Sequence, residues 1–208
     1  GGLNSSSGNG KIGNLARTTV LIDRQGLQTK RVLDLLSVKY IFHAKGDGRH
    51  IWAFPYWNYS DISGSPMYSD DQYEVYRNEG ALPRAYFVPS FVTGSSDREL
   101  LDLLLSQSTD LRQTVVLEET PSGFTPEKSD EELFERVRIS RYTPNSITID
   151  IEANQPGILV LTDPYYPGWS AYVNGKSTKI YRANFALRAI VVPQGSSQVR
   201  FVYDHWFL

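Results

Sequence analysis

A pair of carboxylates held across a cleft can protonate a leaving group and activate a water, which is the chemistry of glycoside hydrolysis. Asp61, Asp70, Asp71, Glu118, Glu119 and Asp163 are the residues able to supply such a pair. The two groups must stand roughly 5–9.5 Å apart, a spacing that sequence alone does not show. Three histidines, His43, His50 and His205, form neither an H-x-x-x-H nor an H-E-x-x-H pair, so no metal site is expected. Gly8 to Gly13 reads G-x-G-x-x-G literally, but a Ser/Gly tail precedes it where dinucleotide binding needs a strand, so no nucleotide cofactor is expected. There is no G-x-S-x-G elbow. Aromatic residues make up 12% of the chain, concentrated in "IWAFPYWNY" and "LTDPYYPGWSAYVNGK". A flat apolar ring with an electron-rich face can stack on the C–H face of a sugar. Trp52, Tyr56, Trp57, Tyr165 and Tyr166 are therefore the ligand-binding candidates, against the ordinary role of large rings as core.

These residues must be positioned by a chain of 208 residues carrying a formal net charge of -2 and no cysteine. Disulfides and thiolate chemistry are excluded, and that charge supplies no basic stripe for nucleic acid. No apolar run approaches the ~20 residues of a membrane span, and the opening "GGLNSSSGNGK" lacks the apolar centre of a signal peptide. The expected class is α+β and β-rich. Residues 1–16 read as a flexible tail, 17–132 as a mixed α/β portion, and 133–208 as an antiparallel β-sandwich of jelly-roll type, either separate from the preceding part or continuous with it.

Within the mixed portion, "TTVLID" reads as a β-prone run and Val32, Leu35 and Leu36 mark a short helix. Strands are expected at 39–42, 73–77 and 84–88, the last two around an Asn/Gly turn. "SSDRELLDLLLSQ" predicts a helix capped by Ser95 or Ser96, with Leu100, Leu101, Leu104 and Leu105 on one face. "TVVLEE" reads as a strand, and "TPSGFTPEKSDEE" as a mobile loop. Farther on, Ile147, Ile149 and Ile151 alternate with Thr148, Asp150 and Glu152, the pattern of a half-buried strand. Pro164, Pro167 and Gly168 fix a stiff corner. Asn174-Gly175 predicts a type I′ hairpin with Trp169, Ala171 and Val173 on one face.

Four blocks, "RVLDLLSVKYIF", "YEVYRNEGALPRAYFV", "YTPNSITIDIEANQPGILVLTDPYYPGWSAYVNGK" and "IYRANFALRAIVVPQGSSQVRFVYD", together resemble the C-terminal extracytoplasmic portion of YfhO-like bacterial membrane proteins. "YYPGW-x-AYV-NGK" and "AN-x-ALRA-x-x-VP-x-G" are the most specific pieces, and "IWAFPYWNYSDISGSP" has no counterpart. The resemblance implies a soluble domain of a polytopic membrane protein related to glycosyltransferases of the GT-C type. It also implies glycosylation of an envelope polymer such as lipoteichoic acid from a lipid-linked sugar. The partner implied is the membrane-embedded part of the same polypeptide, with a glycan or lipid-linked sugar as ligand. Catalytic acids are expected in a loop near preceding membrane helices, so none is assigned here, and the ending "FVYDHWFL" resembles the approach to a last membrane helix. The competing reading is a stand-alone carbohydrate-binding β-sandwich module.

Overall fold

The computed structural model describes residues 27–45, 65–126 and 132–204. The β-prone run at 18–23 lies outside them, as do Trp52, Tyr56, Trp57, Asp61, His50 and His205. The chain divides into two compact units, Gly1–Ala81 and Leu82–Leu208.

In the first unit a short helix, α1 (Leu27–Leu35), precedes an antiparallel sheet of β1 (Tyr40–Ala44), β2 (Tyr68–Ser69) and β3 (Tyr73–Arg77) in the order β1-β3-β2. Lys30 pairs with Asp34 one turn on, at 2.6 Å, and Ser37 ends the helix in a left-handed conformation at φ 56. The Asn78 side chain then donates to the Asp34 carboxylate at 2.7 Å and to the Val38 carbonyl at 3.0 Å, fastening helix to sheet. Asp70 shapes the β2–β3 turn, accepting from the Tyr68 hydroxyl and from the Tyr73 and Gln72 amides. Those bonds, Tyr68's first, hold its carboxyl below the usual aspartate range.

The second unit begins with β4 (Ala85–Val88) and β5 (Ser90–Thr93). A crossover through α2 (Asp97–Leu105) leads to β6 (Thr114–Leu117), which lies parallel to β5. Parallel neighbours need such a crossover because a tight turn only reverses the chain. Ser96 caps α2 by accepting from the Glu99 amide, while the Glu99 carboxylate reaches back to the Ser95 amide at 2.7 Å. Leu100 and Leu104 are buried, whereas Leu101 is 37% exposed, so the buried stripe is narrower than the four leucines suggest.

Then come β7 (Glu135–Thr143), β8 (Ser146–Ala153), β9 (Gly157–Pro164), β10 (Trp169–Val173), β11 (Lys176–Thr178), β12 (Tyr181–Ala183), β13 (Leu187–Val192) and β14 (Gly195–Tyr203). They complete a five-stranded sheet, β11-β10-β14-β8-β7, and a six-stranded sheet, β4-β9-β13-β12-β6-β5. Strands from both sides of residue 133 thus share the larger sheet. β4 pairs with β9 while β3 pairs with β1 and β2, so the Asn/Gly turn after β3 does not close a hairpin.

The five-stranded sheet has one wet face. In β8, Ile147, Ile149, Ile151 and Ala153 are buried and the residues between them are not. These join Ala171, Val199 and Phe201, and Phe87, Leu159, Leu161, Ile190 and Val192 of the larger sheet, in one apolar cluster. In β9, Ile158, Leu159, Val160 and Leu161 are all fully buried. Covered on both faces, that strand reads as a continuous apolar run instead of alternating.

Two turns explain the "NGK" and "ANFALRA" spellings. Asn174 and Gly175 both have positive φ, 51 and 80, as a type I′ hairpin between β10 and β11 requires. After that hairpin the stretch "STKIYRA" divides between sheets: the chain leaves the five-stranded sheet after Thr178 and enters the six-stranded one at Tyr181. At the β12–β13 turn, Asn184 has φ 46 and its side chain accepts from the Val116 amide at 3.0 Å and donates to the Tyr86 hydroxyl at 3.0 Å. The segment after Glu119, expected to be mobile, is held down through residue 126. Phe124 is buried, its ring centroid 5.9 Å from that of Phe91, and the Ser122 amide donates to the Tyr181 hydroxyl at 3.2 Å. Residues 127–131 of the same loop lie outside the described residues.

Gly157 opens β9 where an added Cβ would stand 2.2 Å from Phe87 Cζ and 2.7 Å from the Val88 carbonyl oxygen. Backbone cannot retreat as a side-chain tip can. Gly157→Ala is expected to destabilise this unit by about 1–3 kcal/mol, read as a lowered urea midpoint; an unchanged midpoint would mean that β4 and β9 are not in close register.

Candidate functional site

Where β9 ends and β13 begins, the pairing register shifts between Leu187 and Arg188. A bulge re-aims side chains, and Arg188 sits at this one. Its side chain is 3% exposed, and its Nη2 donates to Asp163 Oδ2 at 3.0 Å. Asp163, the last residue but one of β9, also accepts from Arg84 Nη2 at 2.7 Å and from the Tyr142 hydroxyl at 3.3 Å. Arg84 immediately precedes β4 and lies beside β9, since the Thr162 amide bonds its carbonyl at 2.8 Å. Its Nη2 also donates to the Tyr142 hydroxyl, and its Cζ stands 4.4 Å from that ring's centroid.

Aromatic rings close round this ionic group. Arg188 Cζ is 4.0 Å from the Trp169 centroid and 5.5 Å from that of Phe201. Trp169 and Tyr203, opposite one another on β10 and β14, have centroids 5.4 Å apart, and Tyr166 lies 6.5 Å beyond Tyr203. Gly168, at φ 94, lets the chain turn into β10 with its Cα position close against the Tyr203 ring. Together Arg84, Tyr142, Asn145, Asp163, Tyr166, Trp169, Arg188 and Tyr203, with Pro144 and Pro164, line a cleft of about 430 Å³.

The electrostatics of the floor are unequal. Two guanidiniums face one carboxylate, and burial draws the Arg188 pKa below its ordinary value, with Asp163 opposing that effect. Nε and Nη1 of Arg188 are buried without a hydrogen-bond acceptor among the described residues. Asp163 accepts three bonds from its neighbours, so its carboxylate is committed to holding the guanidiniums and the Tyr142 hydroxyl in place.

Of the other carboxylates raised as catalytic candidates, Asp61 lies outside the described residues, and the remaining four have other surroundings. Glu118 pairs with Arg182 at 2.6 Å and Glu119 with Lys179 at 2.7 Å, both at the surface, while Asp70 serves its turn and Asp71 is exposed. None of the four lines the cleft. No cluster of metal-ligating side chains occurs among the described residues. A larger hollow of about 560 Å³ lies over Arg136, Arg138, Asp150, Glu152 and Gln198 on the wet face of the five-stranded sheet. Arg138 and Asp150 there are 3.3 Å apart and both well exposed, so solvent screens the pair.

Of the ring candidates, Tyr166 is 55% exposed and lines the cleft; Tyr165, 44% exposed, does not. Trp169 packs against the apolar cluster on the face shared with Ala171 and Val173, as its spacing predicts, and also lines the cleft. Arg84, Arg188, Tyr142, Asn145 and Tyr203 are absent from the sequence-derived candidates. One signal does point to Arg188: a lone arginine inside "ALRAIVV", a run otherwise apolar on both faces.

The family model described as bacterial membrane protein YfhO matches residues 101–208. No curated protein and no solved structure matches the chain. The matched range holds every cleft residue except Arg84.

Proposed function

Because the chain belongs to the YfhO family of bacterial membrane proteins, we propose that it is the extracytoplasmic portion of a polytopic member that takes part in glycosylating a cell-envelope polymer. Lipoteichoic acid or a similar polymer is the acceptor, and a lipid-linked sugar the donor. This portion is itself non-catalytic and serves a membrane-embedded transfer apparatus in the same polypeptide. The observation that supports a non-catalytic role is Asp163: the one buried acidic residue among those described has its oxygens occupied by Arg84 and Arg188, whereas a general acid or base must stand within hydrogen-bond reach of the substrate's proton. No helix among the described residues is long and apolar enough to cross a membrane. We read the scaffold as a β-sandwich of jelly-roll type, since both sheets contribute to one apolar cluster.

Two measurements test this. The 208-residue chain is expected to turn over neither lipid-linked sugars nor nitrophenyl glycosides; measurable turnover sinks the non-catalytic reading. In cells making the full-length protein, a cysteine at the exposed position of Tyr165 should react with a membrane-impermeant maleimide. Labelling only after lysis would place the domain on the opposite side. The second reading, a stand-alone carbohydrate-binding module, is favoured by the aromatic wall of the cleft, where a ring such as Tyr166 presents a flat surface.

A further inference from the structure

The cleft holds more positive charge than the protein itself satisfies. Arg84 donates both of its hydrogen bonds through Nη2, leaving Nε and Nη1 without an acceptor among the described residues on a side chain 52% exposed. Arg188, almost wholly buried, leaves the three N–H groups of its Nε and Nη1 unmet among the described residues. Unmet donors on a buried charge are costly, each group forfeiting the hydration it would have in water. Asp163 offsets one of the two guanidiniums, so the floor carries a net charge of about +1 in a region whose walls are rings, where a charge is screened less than at open surface. Asn145, at the β7–β8 turn, adds an exposed side-chain amide to the lining. Tyr166 supplies an uncovered ring at the mouth.

We propose that this cleft binds a saccharide bearing an oxyanion, its carboxylate or phosphate taken by Arg84 and its sugar ring laid against Tyr166. Arg188 is the fixed charge below: Asp163 and the rings of Trp169 and Phe201 hold it in place, and it favours an anion in the cleft without having to touch it. Arg84 makes the contact, because a guanidinium fork suits the two oxygens of a carboxylate or phosphate. Asp163 keeps both guanidiniums aligned, and with three donors on it its own charge is largely spent. The saccharide half of the proposal rests on the glycan-facing reading above; the oxyanion half rests on the guanidinium pair alone.

The test is calorimetric titration of the 208-residue chain with four probes: glucose, glucuronate, glucose 1-phosphate and inorganic phosphate. Glucuronate and glucose 1-phosphate are expected to bind at least tenfold more tightly than glucose, and glucose 1-phosphate more tightly than phosphate, with affinity falling as salt rises. Arg84→Gln should weaken both charged sugars by about ten- to a hundredfold, as loss of a charged hydrogen bond does, while leaving the thermal midpoint in place because this side chain is half exposed. Tyr166→Ala should weaken the charged sugars and leave phosphate unaffected. Glucose binding as tightly as glucuronate overturns the oxyanion preference, and phosphate matching glucose 1-phosphate overturns the saccharide. Binding of no probe, or Arg84→Gln binding like the parent, overturns the site. Each of these outcomes leaves the cell-labelling and turnover results standing, so failure here is distinct from failure of the proposed function.

Discussion

Asp163→Ala is expected to cost the Leu82–Leu208 unit about 3–5 kcal/mol, the range for removing one partner of a buried ion pair. The effect comes almost wholly from Arg188. Its side chain is 3% exposed against 52% for Arg84, so Arg84 can turn to water when the carboxylate goes, whereas Arg188 would stay enclosed with no counter-charge and with Nη2 left unmet beside Nε and Nη1. Coulombic attraction alone does not make the pair stabilising, because desolvating both charges offsets it. The double replacement Asp163→Leu with Arg188→Met is therefore expected to recover most of the loss, placing apolar groups where the charges were. Urea denaturation followed by far-ultraviolet circular dichroism measures all three proteins. A loss below about 1 kcal/mol for Asp163→Ala, or a double variant no better than the single, would mean that Arg188 reaches solvent and that the floor of the cleft is wet.

That pair also shows where the sequence was legible and where it was not. Local chemistry reads well. Ser96 before an acidic turn, Asn174-Gly175 between strands, and the alternation of Ile147, Ile149 and Ile151 each carry their cause within a few residues, and α2, the β10–β11 hairpin and β8 form as those patterns require. Pairing between distant segments does not read. β4 pairs with β9 between positions 70 to 76 apart, and β6 meets β12 through Asn184, a contact no window along the chain contains. "STKIYRA" splits between two sheets because the demand comes from the partners of each half, not from its own propensities.

The cleft shares that difficulty. Its charged members, Arg84, Asp163 and Arg188, come from three strands' ends, and each looks alone like a surface charge. "LTDPYYPGWSAYVNGK" marks the corner correctly, since Gly168 takes φ 94 and Trp169 meets the core. Yet its significance lies in Asp163, which the sequence offers only as one of several carboxylates. The candidate rings Trp52, Tyr56 and Trp57 lie outside the described residues, and of Tyr165 and Tyr166 the cleft takes Tyr166.

Phe201→Ala is expected to be as damaging, at about 3–5 kcal/mol. Phe201 is fully buried on β14, between Ala171 of β10 and Ile147 of β8, and belongs to the cluster shared by the two sheets. Truncation removes the transfer energy of a ring and leaves a cavity whose lining, fixed in two hydrogen-bonded sheets, collapses only in part. Ala171 opposite is too small to fill the space. The same substitution uncovers one side of Arg188, whose guanidinium lies 5.5 Å from the Phe201 centroid, so the loss should exceed that of a comparable apolar truncation away from the cleft. Ile149→Ala is the reference: equally buried in β8 but with no cation–ring contact, and expected at about 2–5 kcal/mol. Phe201→Leu, which retains most of the volume, should cost about 1–2 kcal/mol. A Phe201→Ala loss smaller than that of Ile149→Ala would show that Arg188 draws nothing from the ring, and that the cleft floor is held by Asp163 and Trp169 alone.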